Sequence, residues 1–142
     1  MAYLRLLETI SYVVLRIVSG SAFAFHGMQK ILGIYAKAPV DDNQMWIGGL
    51  IELVGGLFIA FGFLTRGAAL IASGTMAVAY IQFHWKLDFG DKFFPALNGG
   101  ELALIYCFLF LFVAFRGGDA VSVDRAIFGR GGGPGRHGIA GK

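Results

Sequence analysis

Residues 46–85 read WIGGLIELVGGLFIAFGFLTRGAALIASGTMAVAYIQFHW, two long apolar runs joined by Thr65, Arg66 and Gly67 alone. Each run is close to the roughly 20 residues that a bilayer-crossing helix needs. A link of three residues leaves no room for a return path, so the runs are expected as an antiparallel hairpin of spans at 46–64 and 67–85. Soluble bundle helices carry a polar stripe along one face. These runs carry none.

Outward from the hairpin, two more apolar runs follow the same pattern. One covers about 10–32, ISYVVLRIVSGSAFAFHGMQKIL, with Arg16, His26 and Lys30 inside it. The other covers about 98–115, NGGELALIYCFLFLFVAF, with Glu101 near its start. The fold class read from the sequence is therefore all-α, an integral membrane four-helix bundle. A four-helix transmembrane domain is expected over 1–128. Between spans, the segment 86–97 alternates Phe89, Phe93 and Phe94 with Lys86, Asp88, Asp91 and Lys92, as a segment lying at an interface does. The end of the chain, GRGGGPGRHGIAGK at 129–142, is too rich in glycine and charge to build a core and is read as a flexible tail.

Composition agrees. Of 142 residues, 56% are hydrophobic and only 15% charged, with a mean hydropathy of +0.67. A soluble domain has about 25% charged residues. The net charge of +3 comes without a basic stripe carrying interleaved aromatics, so nucleic acid is not an expected partner. Membrane lipid is. One cysteine, Cys107, excludes an internal disulfide and any cysteine-built zinc, iron–sulfur or c-type haem site. No metal site is expected. The 22 glycines form no P-loop, G-x-x-x-x-G-K-[ST].

Lysine and arginine set the expected orientation. Seven (Arg5, Arg66, Arg116, Arg125, Arg130, Arg136 and Lys142) fall on one face of the hairpin arrangement, and four (Lys30, Lys37, Lys86 and Lys92) on the other. The richer side is cytoplasmic. Both termini are thus expected in the cytoplasm, in a multi-pass protein of the bacterial cytoplasmic (inner) membrane.

Ionisable residues inside spans are costly and invite a functional reading. At about 1.5 Å per residue, His26, Lys30, Glu52, His84 and Glu101 fall in one outer-leaflet layer, and Arg16 lies nearer the cytoplasm. At about 100° per residue, Arg16, Ser19, Gly20, Phe23, His26, Gly27 and Lys30 share one stripe. Gly48, Gly49, Glu52, Gly55 and Gly56 share another, and small residues let membrane helices approach closely. Glu52 is expected on a buried face, within reach of His26 or Lys30. The layer suits a quinone headgroup, with His26 and Lys30 donating and Glu52 or Glu101 accepting protons. Structural readings stand beside this one. Lys30 at a span end can snorkel to the headgroups. Glu52 fits a structural ion pair equally well. His26 and His84 lie at depths compatible with axial haem ligation. For Arg16, the expected partner is a carboxylate beyond the last span, Asp119 or Asp124, with Asp124 favoured as a bidentate structural ion pair. Ser73 and Thr75 are alternatives near its depth.

The stretch LRIVSGSAFAFHGMQKILG at 15–33 resembles the opening helix of the DoxX family of small bacterial membrane proteins: an arginine, then His-Gly-x-x-Lys. The resemblance continues through Glu52 with Gly55-Gly56, Gly62 to Thr65-Arg66, Asn98-Gly99-Gly100-Glu101 and Gly117-Gly118 to Ser122-Val123-Asp124. It covers about 12–127, with Val123 where leucine is usual. It implies a four-helix membrane bundle. Family members resemble quinone-linked oxidoreductase subunits of archaeal thiosulfate oxidation systems, and membrane partners of detoxifying redox enzymes. No second cysteine supports sulfur chemistry here. The function expected is that of a redox-associated accessory subunit of a larger membrane complex, working with other membrane protein subunits. The alternative is a quinone-binding oxidoreductase subunit with an outer-leaflet polar site.

Overall fold

The computed structural model describes residues 1–35, 39–119 and 121–129, and the described residues hold helices and no strand. Helix α1 runs Ala2–Leu32 and α2 Asn43–Phe61. Helix α3, Thr65–Ala79, continues as a π-helix over Tyr80–Trp85. A 3₁₀ turn, Asp91–Phe93, and the four-residue α4, Pro95–Asn98, precede α5, Glu101–Arg116. The short α6, Val123–Phe128, follows. From residue 130 on, the segment read as a tail lies outside the described residues.

Two helices, α1 and α2, are long and apolar enough to cross a membrane. The other two candidate spans are divided. Helix α3 has 15 residues and reaches a span's length only with its π-helical continuation. Helix α5 has 16, because Asn98 ends α4 at Gly99 (φ 71°) instead of opening the fourth long helix. Asn98 Oδ1 accepts from Gly100 N at 2.7 Å, which turns the chain into α5. Thr65 also differs from its reading as part of the link. It begins α3, so the turn is 62–64, with Gly62 at φ 72° and Leu64 at φ 44°. The first span gains residues 2–9 as an N-terminal extension of α1.

Helix α1 packs most extensively on α2, α3 on α5, and α2 less extensively on α3. The α1–α2 contact is backbone on backbone. A Cβ added at Gly20 would lie 2.6 Å from Ala60 N, and one at Gly56 2.5 Å from Ala24 N. Gly27 meets Leu53 N more closely still. Helix α3 presents Ala69, Ala72 and Ser73 to α5, and Ser73 Oγ donates to Cys107 O at 2.7 Å. Phe23 of α1 fills the centre, 4.8 Å from the Phe110 ring and 5.3 Å from the Tyr106 ring of α5. The outer faces carry Val18, Phe61, Ile71, Ile105 and Phe108 exposed.

Candidate functional site

The site lies where α1 ends and α2 begins. Because Gly27 brings the two backbones together, the next turn of α1 sets Lys30 against α2. The Lys30 stem lies over Gly49, where an added Cβ would be 3.0 Å from Lys30 Cβ. Its Nζ reaches Glu52 Oε1 at 2.5 Å. Glu52 is 3% exposed, and its second oxygen, Oε2, is buried without a hydrogen-bond partner among the described residues. Its partner is less enclosed, since the Lys30 side chain is 38% exposed.

Glu52 and Lys30 border a cavity of about 720 Å³ between α1, α2, α3 with its π-helix, and α5. His26 and His84 also line it, as does Tyr106. The His26 ring stands edge-on to Tyr106, with centroids 6.4 Å apart. The π-helix carries His84, whose Nδ1 lies 3.2 Å from Asn98 O. Apart from these groups, the walls are largely apolar: Phe23, Ile51, Met76, Val78 and Ala103 among them. Ligand sites are commonly apolar concavities with a few placed polar groups.

Four of the five residues expected in the polar layer thus meet around one cavity. Glu101 does not. As the first residue of α5 it is exposed, and the cavity is bordered instead by Leu102 and Ala103 beside it. Tyr106 was not singled out from the sequence. Helix α5 is apolar on every side, so no periodicity marks which of its faces is inward.

The opposite end holds Arg16, 1% exposed. Its guanidinium does not form the expected bidentate pair with Asp124. It donates to the carbonyls of Gly118 and, at 2.5 Å, Val121. Neither Ser73 nor Thr75 takes it up: their hydroxyls donate to Cys107 O and Ile71 O. Asp124 is drawn to the start of α3 instead. Its Oδ1 accepts from Leu64 N at 2.6 Å, and its Oδ2 accepts from Thr65 N at 2.9 Å and Thr65 Oγ1 at 2.7 Å. Unsatisfied N–H groups at a helix start are strong donors, and a carboxylate there also meets the positive end of the helix dipole. Burial pushes the Asp124 carboxyl up. The Thr65 and Leu64 hydrogen bonds and the nearby Arg16 charge outweigh it and hold the group below the usual range. Gly62 is needed at this junction, since a Cβ on it would meet Ser122 Cβ at 2.6 Å and Arg16 Nη1 at 2.8 Å. Tyr12 adds a bond from its hydroxyl to Gly117 O at 2.6 Å.

The DoxX family model matches residues 11–85, which include His26, Lys30, Glu52 and His84. An uncharacterised protein of Haemophilus influenzae is 40% identical over 119 residues, 80% of this chain and 88% of its own. The inner membrane protein YqjF of Escherichia coli is 31% identical over 136 residues, 87% of this chain and 97% of its own. A Bacillus subtilis protein named "Putative oxidoreductase CatD" is 22% identical over 125 residues, 84% of this chain and 88% of its own. No solved structure matches the chain. With a family model covering more than half of its length and two relatives above 30% identity matched over at least 80% of either chain, the chain belongs to the DoxX family.

Proposed function

We propose that this chain is a redox-associated subunit of a larger complex in the bacterial inner membrane, and that its cavity holds a quinone headgroup. The observation that carries the reading is Glu52: a buried carboxylate with one oxygen on Lys30 and the other unpartnered, at the edge of a largely apolar cavity. A buried polar atom without a partner is costly, about 1–3 kcal/mol, and a ligand that donates to it would remove that cost; the hydroxyl of a quinol, the reduced form of a quinone, is such a donor. A quinone, when bound, supplies a carrier that takes up and releases electrons and protons together. The side chains present fit such a ring. Tyr106 and His26 offer donors to a carbonyl oxygen, Glu52 Oε2 takes or returns a proton, and Lys30 links Glu52 to the exterior.

The relatives' names support the setting: YqjF is called an inner membrane protein, and CatD carries an oxidoreductase name. Exposed apolar faces on all the long helices support four spans, at about 10–32, 46–64, 67–85 and 98–115; the lysine and arginine distribution supports both termini being cytoplasmic. A single cysteine gives the chain no dithiol of its own for electron exchange, so the accessory role assigns the electron donor or acceptor to another membrane subunit.

Purification in mild detergent tests both parts. A quinone extracted from the wild-type protein, and depleted at least about tenfold in Glu52→Leu, supports the site. Co-purifying membrane subunits support the accessory role. Failure of the wild-type protein to retain or rebind a decyl-substituted benzoquinone would overturn the quinone reading.

A further inference from the structure

We propose that the cavity is entered sideways, from the lipid, through a slot between α2 and α3, and that its ligand therefore carries an apolar chain that stays in this slot. The inference rests on the quinone-site reading and adds where the chain runs.

The two helices are close at their shared turn, where a Cβ on Gly55 would lie 4.0 Å from Ala68 O. Farther along they part. Gly48 of α2 and Gly74 of α3 both line the cavity, and a Cβ added to either would meet nothing within 4 Å. Ile47 and Val78 border the cavity while being 55% and 46% exposed, so the cavity reaches the outer surface between them. Beyond them the helices are tied again, by the Gln44 amide donating to Gln82 Oε1. The opening is thus bounded along the helices by Gly55–Ala68 at one end and Gln44–Gln82 at the other. Its lips are apolar or glycine apart from Thr75, whose hydroxyl is given to Ile71 O, which suits an alkyl or isoprenoid chain better than a charged water-soluble ligand. Burial of the chain's methylenes adds little affinity, because a membrane already keeps them out of water. The slot therefore discriminates by fit: it lets the chain remain in lipid while the ring reaches Glu52.

Two probes test this with protein in lipid nanodiscs: a decyl-substituted benzoquinone and the same ring bearing only a methyl group. Gly48→Leu and Gly74→Leu fill the slot without touching the α1–α2 contact. Each is expected to weaken the decyl probe at least about tenfold and the methyl probe less than about threefold. Equal losses for both probes, or no loss for either, would overturn the slot. In wild-type protein, a decyl probe with a diazirine at the chain end should label Ile47, Ile51 or Val78. Labelling at Met45, Gly99 and Leu102 instead would mean entry from the aqueous end of the molecule, again overturning the slot, and this holds even if the leucine variants fail to fold. If the wild-type protein binds neither probe, the quinone reading itself fails, an outcome distinct from any of these.

Discussion

At the scale of single residues, the two buried charges among the described residues solve the same difficulty differently. Glu52 keeps one oxygen on Lys30 and leaves the other open. Arg16 is held by main-chain carbonyls of Gly118 and Val121. For the first, Lys30→Met is expected to destabilise the protein by about 3–5 kcal/mol, because it leaves a carboxylate buried and unpaired. Glu52→Gln should restore much of that loss in the double variant, so the two effects should fall well short of additive in detergent thermal unfolding. Asp124 supplies a pH prediction. Its carboxyl lies below the usual range in the folded protein, so its stabilising contribution is full above the unfolded carboxylate's range and is lost as pH falls through the lower folded value. Melting temperature followed from neutral pH into acid should therefore drop less steeply in Asp124→Asn than in wild type, while starting lower at neutral pH. The proximity of Lys30 and Glu52 was legible in the sequence, since helical rise and period fix depth and facing. Arg16's partners were not. A backbone carbonyl has no signature in a sequence, whereas Asp124 looked like a partner by charge and was claimed by the free N–H groups of α3.

At the scale of elements, glycine has two different jobs in this fold. Gly20, Gly27 and Gly56 sit where α1 and α2 backbones touch, and a Cβ there collides with main chain that cannot move aside. Gly48, Gly67 and Gly74 face open space. Gly27→Ala is expected to cost about 1–3 kcal/mol through overpacking. Gly74→Ala, by contrast, should stabilise α3 by about 0.5–1 kcal/mol, because alanine loses less backbone entropy in a helix. Unfolding of the two variants side by side checks the sign of each. The period of α2 made Gly49 and Gly56 legible as its close-packing face toward α1, but Gly48 of the same stripe faces open space and Gly55 turns to α3. The π-helix was not legible, although it carries His84 into the cavity. Nothing in YIQFHW distinguishes a shift to wider winding from ordinary helix; in the structure this turn packs against Asn98 and Gly100. A Cβ on Gly100 would meet the Tyr80 ring and His84 Cβ at 2.8 Å each. Such wide turns occur often at functional sites.

At the scale of the whole molecule, the two ends differ in kind. The Arg16 end is closed: the segment after α5 folds back, with Asp124 N donating to Gly62 O at 2.8 Å and Arg116 joined to Glu8 at 3.0 Å and Asp119 at 3.2 Å. The Glu52 end holds the cavity and the Trp85, Phe89 and Phe93 rings, with Trp85 5.3 Å from Phe89 and 6.0 Å from Phe93. Aromatic rings of this sort favour the boundary between lipid and water. Under the proposed orientation, the closed end faces the cytoplasm, and the cavity lies in the outer leaflet. The orientation is read from the seven-to-four distribution of lysine and arginine, and the hairpin at 62–64 then puts Arg66 inside. The test needs a background without the native thiol, and Cys107→Ser supplies it. Single cysteines at exposed Asp41 and Asp91 are expected to react with a membrane-impermeant maleimide in intact cells. A cysteine in place of Arg66 should react only after the membrane is opened. Labelling of the Arg66→Cys variant from outside, with protection of the other two, would invert the molecule. It would also move the Glu52 cavity to the cytoplasmic leaflet, where any exchange of protons would be with the cell interior.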